Sequence, residues 1–455
     1  MDYEKILKKI LSNGGDYGEI FYEIREDTNI TYENGKLEKA FSGADAGIGL
    51  RLIIDGNTFY AYTNDINEKS LIKKAEELSS IAKIYKKEKK DLTLPFYEKK
   101  GVLNSKILIP DRVDINKKIG KVFEAKDFLE KYNRSIVQFR ITYSDYFQKV
   151  KIVNSFGNIV EEERIQTIFL VHVVTLKDDI LQTGYEPVGG AKGFELFDEI
   201  NVVDVAKTAA DRAIQNLTAK KISGGRMPVV LSSEAGGTMV HEAIGHGLEL
   251  DLVNDGMSVY KDKIGQKVAS EKITIIDDGT IPFKRGTTQF DDEGTQTQKT
   301  ILVENGILKN YMSDILNAMK SGRKSTGNGR RESYRFKPIP RMTNTYIAPG
   351  EDKPEDIIKS VEKGIFVKKM GGGQVNTVTG DFVFEISEGY TIEKGEITDP
   401  IRDTTLIGNG PEILKIIDMV GNDLGFGIGT CGKDGQGVPV SDAQPTLRIP
   451  EIVVG

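Results

Sequence analysis

Hydrophobic and polar positions along the chain change period several times, and each change predicts an element. Residues 1–15, MDYEKILKKILSNGG, alternate charges with Ile and Leu at helical spacing and predict an amphipathic helix. EIFYEIRED (19–27), NITYE (29–33) and KLEKAF (36–41) carry the aromatic and β-branched residues of strands, with Asn34-Gly35 as a hairpin turn. AGIGLRLII (46–54) and TFYAYT (58–63) predict two further strands joined through Asp55-Gly56. SLIKKAEELSSIAKIY (70–85) shows the i, i+3, i+4 apolar pattern of a helix. After a predicted linker at 86–105 a similar order recurs. FRITYS (139–144) and KVKIVNS (149–155) read as strands, Phe156-Gly157-Asn158 as a turn and IQTIFLVHVVTL (165–176) as a long apolar strand. VVDVAKTAADRAIQNLTAK (202–220) closes the series as an amphipathic helix. The shared order, without residue identity, points to a duplicated strand–helix unit spanning 1–86 and 106–222 within an N-terminal α+β domain, 1–222.

KKISGGRM separates that last helix from the next strand, PVVLSS (228–233), and sets a boundary near residue 222. Beyond it glycine becomes frequent, as in GNGRR (327–331), MGGGQVN (370–376) and GFGIGTCGKDGQG (425–437). Such density marks tight turns and close backbone approach, either in a loop-rich β domain or along a binding cleft. No run matches a Walker A loop or a dinucleotide fingerprint in its strand–turn–helix setting. The expected fold class is α+β, with a β-rich N-terminal half and a Gly-rich α+β C-terminal domain at 223–455.

Composition narrows the setting. The 455 residues exceed one ordinary core, and 38% hydrophobic with 29% charged residues is the balance of a globular protein. No apolar run approaches a membrane span, and the N-terminal helix lacks the apolar core and cleavage site of a secretory signal. One cysteine excludes an intrachain disulfide and suits a reducing compartment, so the expected location is the cytoplasm. A net charge of -6 argues against a nucleic-acid partner. The densest basic run, at 86–90, contains a glutamate and reads as a solvated linker face.

Only three histidines are present, and two of them fall within EAGGTMVHEAIGHGLELD (234–251). Met239, Val240, Ile244 and Leu248 give this stretch helical spacing, and Ser232 or Ser233 is placed to cap it. His241-Glu242 followed by His246 is a zincin HExxH motif with one residue added. On a regular α-helix, i and i+4 lie about 40° apart but i and i+5 about 140° apart, too far for two imidazoles to share one ion. The spacing therefore predicts a helix that is wide or broken between the histidines, a distortion that Gly245 would ease. A zinc ion held by two imidazoles and a third protein ligand keeps a position open for water, for which Glu242 is the natural general base. The chemistry leaves three candidates for the third ligand: Cys431, Glu249 and Asp251. His172, within IFLVHVVTL, reads as a core or sheet-face residue.

The segment HEAIGHGLELD resembles the HExxxH signature of the TldD/PmbA family of metallopeptidases. So do GNGRRESYRFKPIPRMTNTYI (327–347), GGGQVNTVTGDFVFEISEGY (371–390), DTTLIGNGPEILKIIDMVGND (403–423), GTCGKDGQGVPVSDAQPTL (429–447) and AGIGLRLIIDGNTFYAYTND (46–65). The resemblance implies a zinc-dependent peptidase with His241, His246 and Cys431 as ligands and Glu242 as catalytic acid/base. It implies a TldD-type, motif-bearing subunit that pairs with a TldE/PmbA-type homologue, a homodimer being the alternative. It also implies substrates that are peptides or unfolded protein segments admitted to an enclosed site. The family's older label, modulator of DNA gyrase, finds no support in this acidic chain. Two other classes compete: a cysteine hydrolase with Cys431 as nucleophile and a histidine base, and a non-enzymatic binding or regulatory protein.

Overall fold

The computed structural model describes residues 1–85, 95–103 and 107–455; the basic run at 86–90 lies outside the described residues. The fold is mixed α+β, with the β-rich N-terminal half that the sequence patterns predict. Helix α1 (Tyr3–Ile10) is followed by strands β1 (Tyr17–Glu33), β2 (Lys36–Ile54) and β3 (Asn57–Thr63), then helix α2 (Glu68–Tyr85). After the short strand β4 (Tyr97–Lys100), the order repeats as α3 (Ile115–Tyr132), β5 (Ile136–Asn154), β6 (Asn158–Lys177), β7 (Ile180–Gly190), one turn α4 (Leu196–Glu199) and α5 (Val202–Thr218). The expected linker thus contains a strand, β4, which runs parallel to the start of β6. Segments that read as separate strands merge: 19–27 with 29–33 in β1, 36–41 with 46–54 in β2, and 139–144 with 149–155 in β5.

Among the described residues, strands β1 to β7 form one sheet, in which β1 and β5 are antiparallel neighbours and each carries the rest of its own unit outward. Strand alternation then assigns the two faces. Even-numbered Ile20 and Ile30 of β1 lie under helices, as do Val153 and Tyr143 of β5. One cluster packs α1 and α2 onto the sheet and the other packs α3 and α5. Odd-numbered Glu19, Phe21 and Glu23 turn to the opposite face, toward the C-terminal half, where Phe21 packs with Phe290 and Tyr334. The turns follow the residues expected of them: Asn34 and Gly35 take φ of 53° and 78°, the left-handed conformation that Asn-Gly accepts at little cost.

The C-terminal half, from β8 (Gly225–Leu231) onward, contributes a six-stranded sheet and a seven-stranded sheet that share one apolar core. Strand β8 is central in the larger sheet, between Lys363–Val375 and Leu447–Val454. The smaller sheet ends in the hairpin Gly425–Lys433/Gln436–Gln444, called here the cysteine hairpin because it carries Cys431. Met239, Val240, Ile244 and Leu248 are all buried in that shared core, so the motif-bearing segment runs through the interior.

The two halves are joined through buried charge. Arg51 is fully buried, with one guanidinium nitrogen on Glu293 and 3.7 Å from Glu19, and the other 3.8 Å from Asp314. Arg331 pairs with Glu19 from the C-terminal side. Removing Arg51 strands buried carboxylates, which costs about 3–5 kcal/mol when one partner of a buried pair is deleted. Arg51→Met is expected to lower the unfolding free energy by that amount, read in urea as a lower midpoint at unchanged m. A shift under about 1 kcal/mol would show that the carboxylates are neutralised or solvated without it.

Candidate metal centre

The motif segment starts against the cysteine hairpin. Gly237 sits at φ +72°, and a Cβ there would lie 2.4 Å from the Ala443 nitrogen, so glycine permits the approach. Ser232 accepts from the Glu234 nitrogen and caps the short turn Ser233–Ala235, not the histidine-bearing helix; Gly237 begins that helix. Thr238–Val240 is α-helical, His241–Gly245 a π-turn and His246–Leu248 a 3-10 turn. The wide turn predicted from the i, i+5 spacing is present. Gly245 contributes through space and not through backbone strain: its φ is an ordinary -55°, and a Cβ would meet the Met342 sulfur at 2.3 Å.

Widening the helix turns both imidazoles toward one point. His241 Nε2 lies 3.3 Å and His246 Nε2 3.5 Å from Cys431 Sγ, with the rings 5.0 Å apart and nearly perpendicular. All three side chains are buried, and their donor atoms lie within 4.8 Å of one another, so they could hold a metal ion. Two imidazole nitrogens and a thiol sulfur make a mixed donor set that suits zinc. Glu242, partly exposed, reaches to 4.0 Å between Oε2 and His246 Nε2. The other two candidate ligands stand elsewhere. Glu249 Oε2 is 3.0 Å from His246 Nδ1, the nitrogen facing away from the cluster, and Asp251 pairs with Lys433 at 2.7 Å. A carboxylate on the outer nitrogen fixes the tautomer and leaves Nε2 free as a donor.

Several residues that the sequence reading did not single out complete the surroundings. Lys433 bridges Glu249, at 3.0 Å, and Asp251; it lies two positions beyond Cys431 on the same strand face. Arg341, fully buried, donates to the Cys431 carbonyl and to Gln436 O. Asp442 pairs with Gly427 across the hairpin, on the face that Cys431 shares. Its Oδ1 and His241 Nδ1 are both buried without a hydrogen-bond partner among the described residues.

Charge in the site is strongly coupled. Burial pushes the Cys431 thiol up, but hydrogen bonds from His241 and His246 outweigh it and bring the group down to about 5. Burial opposes the charged form of His246, yet the Glu249 carboxylate and Cys431 hold it well above its usual value. Burial and then Lys433 act on Glu249 in opposite directions, and with His246 the net effect is a carboxyl below its usual range. Asp442 is raised to about 6 by burial, with His241 opposing. The pocket therefore favours a thiolate among positive charge, the environment in which a cation replaces protons on the imidazoles. Beside the cluster opens a cleft of about 750 Å³, walled by β7 residues, Lys369, Gly371 and Asp442. His172, by contrast, is half-buried on the N-terminal sheet.

Fold and site together define an α+β protein in which two buried histidines of a π-widened helix meet a cysteine of the facing hairpin, a donor set that could hold a metal ion. Sequence comparison makes the class particular: the chain belongs to the PmbA/TldD metallopeptidase family. Profiles of the PmbA/TldA metallopeptidase domain 1, central domain and C-terminal domain match residues 18–82, 109–217 and 224–455. It is 38% identical to the metalloprotease TldD homologue of Buchnera aphidicola, over 99% of this chain and 94% of that one. It is 28% identical to a zinc metalloprotease TldD homologue of Saccharolobus solfataricus, over 99% of each chain. The fold is shared with TldE of Thermococcus kodakarensis at a TM-score of 0.77 and 18% identity, over 99% of each chain. A Thermotoga maritima protein described as a candidate modulator of a DNA gyrase superposes at 0.80 with 22% identity, over the whole of both chains.

Proposed function

We propose that this chain is a zinc-dependent peptidase that hydrolyses peptides or unfolded protein segments. His241 Nε2, His246 Nε2 and Cys431 Sγ would hold the metal, and Glu242 would act as general acid/base. The observation that carries the reading is the convergence of those three donor atoms within 4.8 Å beside the Glu242 carboxylate. Zinc held there supplies Lewis acidity and makes water acidic enough to ionise near neutral pH. The chain's own residues supply the rest. Glu242 takes the proton from water at its carboxylate and returns it to the departing amine nitrogen. Glu249 keeps the His246 ring oriented from its outer nitrogen, while Lys433 neutralises Glu249 and Asp251. The neighbouring cleft has room for an extended segment of chain.

The reading includes a division of the chain at residue 222 into an N-terminal α+β domain, 1–222, and a metallopeptidase domain, 223–455. It places the protein in the cytoplasm, consistent with the finding that no helix among the described residues is long and apolar enough to cross a membrane. It assigns no nucleic-acid partner. Pairing with a TldE/PmbA-type subunit as a heterodimer belongs to the same reading, with a homodimer as the alternative; TldE shares this fold.

Chelation tests the reading directly. Cleavage of an unfolded protein by the purified chain with its TldE-type partner is expected to stop on metal removal and return when zinc is restored. The cysteine-hydrolase alternative requires the reverse: cleavage that survives the chelator and is abolished by a thiol alkylating agent. A non-enzymatic role would give no cleavage under any metal condition.

A further inference from the structure

On the reverse face of the cysteine hairpin, a second cavity of about 360 Å³ lies between that hairpin and the N-terminal sheet. Alternation along the hairpin puts Thr430, Pro439 and Ser441 on this side and Cys431 on the other. Two buried guanidiniums that line the cavity have no ion pair among the described residues; of the carboxylates on the same wall, Glu162 and Asp292 are committed to Arg164, Asp291 to backbone N–H groups and Glu332 to the Gly437 N–H. Arg285 is 9% exposed; its Nη2 donates to Thr430 Oγ1 at 3.1 Å and its Nε has no partner among the described residues. Among the described residues Arg330 donates only to carbonyls, Met342 O at 2.6 Å and Pro439 O at 2.7 Å. Arg25 adds a third positive group, stacked 4.0 Å over the Tyr146 ring and paired with Asp27. A buried guanidinium left short of acceptors is costly, so the arrangement calls for an anion.

A neighbouring acceptor narrows the anion. Gln166 Nε2 is committed to Arg285 O at 2.8 Å, while Gln166 Oε1 is buried with no partner among the described residues. An occupant that satisfies both groups brings anionic oxygens for Arg285 and an N–H for Gln166. Inorganic phosphate has no N–H. The last residue of a peptide carries both, its carboxylate next to its own amide nitrogen. The cavity also shares the walls Pro282 and Phe283 with the cleft beside Asp442, so a chain lying in one reaches the other around the hairpin edge. We propose that this cavity receives the C-terminal carboxylate of a peptide, with Arg285 taking the carboxylate and Gln166 Oε1 the final amide N–H. The assignment rests on the peptidase reading for what that peptide is, a substrate or a product.

Binding is measured on the full-length chain carrying Glu242→Gln, using one acetylated hexapeptide as free acid and as C-terminal amide. The free acid is expected to bind at least about tenfold more tightly, the scale of a charge-assisted pair. Arg285→Gln is expected to erase that ratio. Gln166→Leu, on the other wall, is expected to weaken acid and amide alike while keeping the ratio. Equal binding of acid and amide, or a ratio that survives Arg285→Gln in folded protein, would overturn the proposal. So would equal binding of an amide bearing a glutamate side chain, which would assign the site to acidic side chains, or full competition by inorganic phosphate. Cleavage by the wild-type chain with its TldE-type partner is scored separately. Discrimination without cleavage would sink the peptidase reading and keep the site, and cleavage without discrimination would sink the site alone.

Discussion

Cys431→Ser protein is expected to purify with under about a tenth of the zinc per chain found in wild type, its affinity reduced at least about 100-fold. The sulfur is the one soft donor in the cluster, and it stands 3.3 Å and 3.5 Å from the two imidazole nitrogens. Its neighbours bring the thiol down to about 5, so the ligating thiolate forms without strong base, whereas a serine hydroxyl in the same place stays protonated. The backbone beneath it is anchored by Arg341 on the Cys431 carbonyl, and the change removes no apolar bulk, so the fold is expected to persist. Mass-spectrometric metal content beside circular dichroism measures both points. Normal zinc in a folded Cys431→Ser protein would dismiss the sulfur as a ligand and return Glu249 to consideration.

What the sequence made legible follows from how local each signal is. Asn34-Gly35 could be read as a turn because positive φ is a property of those two residues. The histidine pair could be read because five positions is a local distance, and a regular α-helix cannot bring both rings together. Strand lengths were less legible. Polar residues such as Asp27, Ser42 and Asp45 interrupt the apolar alternation, yet β1 pairs with β2 and β5 over nearly its full length. Cross-strand hydrogen bonding continues through positions whose side chains bury little. Helix α3 and strand β7 went unread, and part of the expected linker proved to be β4. At the site, chemistry alone left Cys431, Glu249 and Asp251 level, because nothing local says which of them folds back onto residue 241. Resemblance to a family favoured Cys431, and the fold brings that sulfur to both imidazoles while turning Glu249 to the outer nitrogen of His246. Asp442 could not be found from sequence, since its place depends on the register that sets Gly427 opposite it. Lys433 was not legible either, since the Gly-rich run around Cys431 was not read as a strand and its carboxylate partners lie on a different element.

Glu242→Gln is expected to separate binding from chemistry. Amide and carboxylate have the same shape, and Glu242 is partly exposed at the edge of the cluster, so the substitution leaves the core and the three donor atoms undisturbed. Zinc content should therefore remain near wild type. What is lost is a group that can accept a proton from water and hand it to a leaving amine, a role worth about 100- to 10,000-fold in rate. Cleavage of an unfolded protein should fall by at least about 100-fold in kcat, with little change in KM. The 4.0 Å between Oε2 and His246 Nε2 sharpens the choice between roles, because a carboxylate that close to a ligand nitrogen could instead be a ligand. Metal loss in Glu242→Gln would assign it that role and leave the proton transfer to another group. Retained zinc with wild-type turnover would sink the general-base assignment. Asp442 would then be the next carboxylate to test, since burial holds its carboxyl near 6 on the same face of the hairpin as Cys431, where it can still exchange a proton near neutral pH.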